Sequence, residues 1–120
     1  MLEIPVTTLP VLRTPIHLSY VLYLDLVSPV LGRLYFNTAL RLCRLSGAQP
    51  SILLHPLDFL GGDDTEALAF FPAMRRPGAW KLARVSEHLA ALCRSFEVIP
   101  LGEHAARLER GGELAERAAG

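Results

Sequence analysis

Apolar and polar positions along this chain fall into two periods, and the change between them marks out the elements. Leu82, Val85, Leu89, Leu92 and Phe96 recur at steps of three and four, which predicts a helix over 79–95. Leu31, Leu34, Thr38, Leu42 and Leu45 do the same, with Arg33, Arg41 and Arg44 interleaved. That predicts a second helix, opened by Ser28-Pro29 as N-cap and first helical residue, running to Ser46 and stopped by Gly47. Residues 16–27 form an apolar, helix-like segment. His17, Asp25, Ser28 and Pro29 interrupt the run over 16–31, leaving it short of the ~20 apolar residues that cross a bilayer. A buried helix and no transmembrane segment are the expectation.

Shorter apolar runs read as strands. Leu2-Glu3-Ile4-Pro5-Val6 predicts a first strand, Ser51-Ile52-Leu53-Leu54-His55 a buried second, and Glu97-Val98-Ile99-Pro100-Leu101 a third. Residues 56–79 are a long connection with Gly61-Gly62, Asp63-Asp64, Pro72, Pro77 and Gly78, holding a helical turn near Thr65–Phe70 capped by Asp64. A short helix over Gly102–Arg110 and a fraying tail over 111–120 complete the order. Strand, helices, strand is the pattern of a βαβ unit with a parallel pair. Three strands cannot cover both faces of a parallel sheet. The fold class expected is therefore α/β, a part of a larger barrel or sheet.

Composition narrows the function classes. Twelve basic and twelve acidic side chains leave no net charge, so the basic surplus of a nucleic-acid footprint is missing. Apolar residues make up 51% of the chain, which fits a packed domain. Cys43 and Cys93 form no ligand spacing and read as buried free thiols in a reducing, cytoplasmic setting. Glu3 and Pro5 come too early for a signal peptide.

One residue carries chemistry. An apolar run has no reason to end on an imidazole unless the ring faces something, and the carboxyl ends of parallel strands are where ligands gather. His55 is the candidate, because an imidazole in an apolar pocket is tuned near neutral pH. Asp58, three residues on, either orients that ring or sits in a turn. His17 reads either as an interior histidine or as a substrate-side group. Arg75-Arg76 form either a solvated loop pair or a contact for an anionic carrier phosphate. Asp63 and Asp64 read as turn and cap residues, Trp80 as core, and His88 and His104 as surface residues.

Four segments together, Leu2-Glu3-Ile4-Pro5-Val6-Thr7, Pro15-Ile16-His17-Leu18-Ser19-Tyr20, Leu53-Leu54-His55-Pro56-Leu57-Asp58 and Phe70-Phe71-Pro72-Ala73-Met74, resemble the C-terminal part of the polysaccharide deacetylases, the NodB-homology proteins of carbohydrate esterase family 4. The resemblance spans roughly residues 1–105, in a domain over 1–110 with 111–120 as the tail. It implies the C-terminal part of a distorted (β/α) barrel, with about three parallel strands and flanking helices. It also implies hydrolysis of N- or O-acetyl groups on a polysaccharide or lipid-linked sugar, with a divalent, zinc-like metal held by one aspartate and two histidines. Leu53-Leu54-His55 matches the family's late Leu-x-His motif. His55 would then be the acid that protonates the leaving amine, Leu53 would wall the pocket for the acetyl methyl, and His17 and Arg75 would lie on the substrate side. The early Asp-Asp motif and the His-x-x-x-His metal motif have no counterpart in this sequence, and Asp63-Asp64 does not match. The chain is expected to bind no metal alone and to be inactive alone. The rival reading is a non-catalytic assembly module, a homo-oligomer paired through exposed apolar surface.

Overall fold

A computed structural model of the chain describes Thr7 and residues 16–111. Four helices dominate: α1 (Leu18–Val27), α2 (Pro29–Ser46), α3 (Gly78–Ser95) and α4 (Leu101–Gly111). Two 3₁₀ turns, Pro56–Asp58 and Pro72–Arg75, lie in the α2–α3 connection. The break between α1 and α2 is dictated locally. Ser28 precedes a proline, which disfavours the helical region, and it is extended at φ −160°, ψ 124°. Pro29 then opens α2, as the sequence predicts, although the Ser28 hydroxyl makes no capping bond. Gly47 ends α2 at φ 71°, where only glycine is free of strain.

The expected α/β fold, a TIM-like barrel portion with about three parallel strands, is overturned: the described residues contain no sheet. Parallel pairing is reduced to one isolated bridge between His17 and Leu53. Pro50 and Pro56 bracket 51–55, removing ladder donors at both ends. Thr7 lies against the same stretch: its N–H donates to Ser51 O at 3.2 Å, and its hydroxyl accepts from Ser51 N–H at 2.6 Å. Residues 97–100 are irregular, and Leu101 begins α4 instead of ending a strand. The first expected strand, 2–6, and the tail over 112–120 lie outside the described residues. Around Thr65–Phe70 successive turns replace the expected helix, closed by Ala69 N–H to Glu66 O and Phe71 N–H to Leu68 O.

α1, α2 and α3 pack on one another around Leu18, Val21, Leu22, Phe36, Leu40, Cys43, Val85 and Leu92. α2 buries Gly32, Phe36, Ala39, Leu40 and Cys43, not the leucine row read from the sequence. Leu34 and Leu45 on that row are 63% and 86% exposed. Small residues decide this orientation. Gly32 faces Asp25 of α1 so closely that a Cβ there would collide with Asp25 Oδ1. On α3 the buried stripe is Lys81, Val85, His88 and Leu92, so Val85 and Leu92 match the expected stripe while Leu82 turns out to solvent. His88, expected at the surface, is 2% exposed and hydrogen-bonds Asp25 through Nε2 at 2.7 Å, with Phe36 edge-on to its ring. Cys43 is buried and its thiol pKa is pushed up by that burial, whereas Cys93, also expected inside, is exposed.

Candidate functional site

The N-terminus of α1, the two 3₁₀ turns and the first turns of α3 enclose a pocket of about 320 Å³. That is near the lower end for small-molecule sites. Three of the sequence segments singled out above meet there. His17, Ser19 and Tyr20 come from the first, His55, Leu57 and Asp58 from the second, and Phe71, Ala73 and Met74 from the third. Tyr23 and Lys81 add to the wall. The segments are brought together by few bonds: the His17–Leu53 bridge, and a hydrogen bond from Ser19 Oγ to Asp58 Oδ1 at 2.7 Å.

His55 precedes a proline and is extended at φ −115°, ψ 152°. Its ring lies 4.7 Å from the ring of His17, and Tyr20 stands 5.4 Å beyond that, so three rings follow one another along the wall. Nδ1 of His17 and Nδ1 of His55 are both shielded from solvent, and neither has a hydrogen-bond partner among the described residues. Buried polar atoms left open in this way are rare enough to require a reason.

Asp58 is 2% exposed. Its second oxygen accepts from the backbone N–H of His55 at 2.7 Å, and its own N–H donates back to His55 O at 2.9 Å. The carboxylate therefore fixes the backbone that carries His55 rather than the imidazole itself. Lys81 is fully buried, and its ammonium donates to Leu57 O at 2.8 Å and to Met74 Sδ at 3.1 Å. Desolvation lowers the lysine pKa, and the charges of Asp58 and Asp64 push it back up. Asp63 and Asp64 hold the loop. Asp63 Oδ1 accepts from Gly78 N–H at the start of α3, and Asp64 Oδ2 accepts from Gly61 N–H.

The remaining predicted site residues stand apart. Leu53 joins His17 only through the backbone bridge, is 40% exposed and does not line the pocket. Arg75 is exposed at the end of the second 3₁₀ turn, outside the lining. Arg76 stacks over Trp80 at 5.3 Å. Sequence reasoning missed Lys81. The spacing 81, 85, 88, 92 was available as a buried stripe, but the apolar alternative 82, 85, 89, 92 outscores it when lysine and histidine are counted as polar. Among the described residues no group of three or more histidine, cysteine, aspartate or glutamate side chains is placed to hold a metal ion, and none of their helices is long and apolar enough to cross a membrane. Compared with family models, curated proteins and solved structures, the chain matches none.

Proposed function

We propose that this chain is the leaving-group half of a polysaccharide or glycolipid deacetylase site, with His55 as the acid in amide hydrolysis of an N-acetyl sugar. The observation that carries the reading is convergence. Three of the four segments that carry the resemblance, far apart in sequence, line one pocket that includes His55, a residue with an unpartnered ring nitrogen. In the proposed step a water oxygen bonds to the acyl carbon and its proton passes to a base outside the described residues, the carbon–nitrogen bond breaks, and protonated His55 delivers its proton to the departing nitrogen, leaving acetate and the free amine. Asp58 anchors the backbone of His55, and Ser19 anchors Asp58. Activation of the water is left to groups outside the described residues. Tyr20 and His17 offer ring faces beside the sugar.

Two observations test this. The coding sequence immediately upstream of Met1 is expected to encode the Asp-Asp and His-x-x-x-His motifs in frame. A polypeptide joining that segment to this chain is expected to release acetate from an N-acetylated glycan, while the chain alone does not. Absence of those motifs, or a joined protein that releases no acetate, contradicts the proposal.

A second reading has its own observation. The outer face of α2 carries exposed Val30, Leu31, Leu34 and Leu45 at helical spacing. That row is suited to self-association, which makes the chain an assembly module instead. Sedimentation distinguishes the two: a module is an oligomer that Leu34→Glu converts to monomer, with no acetate released in either form.

A further inference from the structure

Lys81 is an unusual group to find at the floor of an apolar, aromatic pocket. It is fully buried, yet no carboxylate lies within ion-pairing distance among the described residues. Both nearby acids are committed elsewhere. Asp58 takes Ser19 Oγ–H and the His55 N–H, and Asp64 takes the Gly61 N–H. An ammonium has three N–H donors, and here two are used, on a carbonyl and on a thioether, which is a weak acceptor. Charge buried on neutral acceptors alone is poorly compensated. His17 and His55, each with a buried Nδ1 that has no partner among the described residues, line the same pocket. One cationic donor and two imidazoles therefore line a cavity whose other walls include Tyr20, Tyr23 and Phe71 and one acid, Asp58, whose oxygens are already engaged by Ser19 and the His55 N–H.

We infer that this pocket binds a small organic monocarboxylate, its anionic group on the Lys81 ammonium and an imidazole N–H, its apolar tail against Tyr23 and Phe71. A carboxylate supplies the acceptor that Lys81 lacks, and it adds a direct counter-charge to those that Asp58 and Asp64 exert without touching the ammonium. Charge-assisted hydrogen bonds of this kind are about twice as strong as neutral ones. A volume near 320 Å³ admits a ligand of benzoate size and excludes a long acyl chain. The inference concerns binding and does not depend on the hydrolysis proposed above, so either can fail without the other.

The test is an amide chemical-shift titration of the full chain with benzoate, and with benzamide as the uncharged isostere. Saturable shifts are expected at Ser19, Leu57, Asp58, Met74 and Lys81, with benzamide at least roughly tenfold weaker, since an amide offers no charge to the ammonium. Lys81→Met is expected to abolish the preference for benzoate. If that variant does not fold, the benzoate–benzamide comparison on the wild-type chain decides alone. Equal affinity for the two probes, shifts confined to surface arginines, or no saturable shift overturns the inference.

Discussion

Replacing Asp25 by leucine removes one partner of the only imidazole–carboxylate pair in the described core. Both side chains are sealed: Asp25 is 1% exposed and His88 2%. Their bond is 2.7 Å, and Asp25 Oδ1 already lacks a partner. Deleting one member of such a pair strands the other in a low-dielectric interior, which costs about 3–5 kcal/mol. Against a total stability of about 5–15 kcal/mol, that is a large fraction. With a urea m-value of about 1.5 kcal/mol/M, the midpoint of unfolding falls by about 2–3 M. The double variant Asp25→Leu/His88→Leu behaves differently, because neither polar group remains to be stranded. It forfeits the edge contact of Phe36 with the His88 ring, worth about 0.5–1.5 kcal/mol, and little else. The double variant is therefore expected to be more stable than either single one by about 1.5–4.5 kcal/mol, a strongly non-additive outcome. Urea unfolding followed by far-ultraviolet circular dichroism measures all four corners of the cycle. A single variant as stable as the wild type, or additive losses, would refute the argument that this pair, and not apolar packing alone, locks α1 to α3.

Other consequences follow from the same packing. Gly32→Ala drives a methyl group into Asp25, and is expected to destabilise by about 1–3 kcal/mol in the same urea assay. Leu34→Glu, on an exposed row, is expected to leave the melting temperature within about 2 °C while abolishing any self-association seen by sedimentation. Lys81 has a folded-state pKa below its unfolded value, so between the two the unfolded chain holds more protons and stability rises with pH. Burial raises the pKa of Cys43 and of Tyr35, which oppose this above their unfolded values of about 8.5 and about 10. As pH rises toward the unfolded lysine value of about 10.4, the urea midpoint of the wild type is expected to gain on that of Lys81→Met; parallel profiles would contradict the buried ammonium.

The helices were legible because their signals are local. Ser28-Pro29 and Gly47 punctuate α2, and Val85 and Leu92 mark the inner side of α3. The face of α2 was not legible, since a glycine and an alanine carry little hydrophobic weight, yet their small size is what lets α1 approach. The second and third strands failed for a related reason. A short apolar run such as Ile52–Leu54 has no period to read, and strand pairing depends on a neighbour that the local pattern does not encode. At the site, His55 stood out because it broke an apolar run, and His17 entered with it. Lys81 stayed hidden as a charged residue within a helix whose polar positions are mostly solvated.

The most direct test of His55 as a proton donor compares two leaving groups in the chain joined to the upstream segment proposed above. An amine departs only when protonated, whereas p-nitrophenolate leaves unaided. His55→Gln is expected to lower kcat/KM for an N-acetyl glycan by roughly 10²–10⁴-fold, the usual reach of general acid catalysis, and to change p-nitrophenyl acetate hydrolysis by less than about tenfold. Equal losses on both substrates, or no loss on the amide, would contradict the assignment.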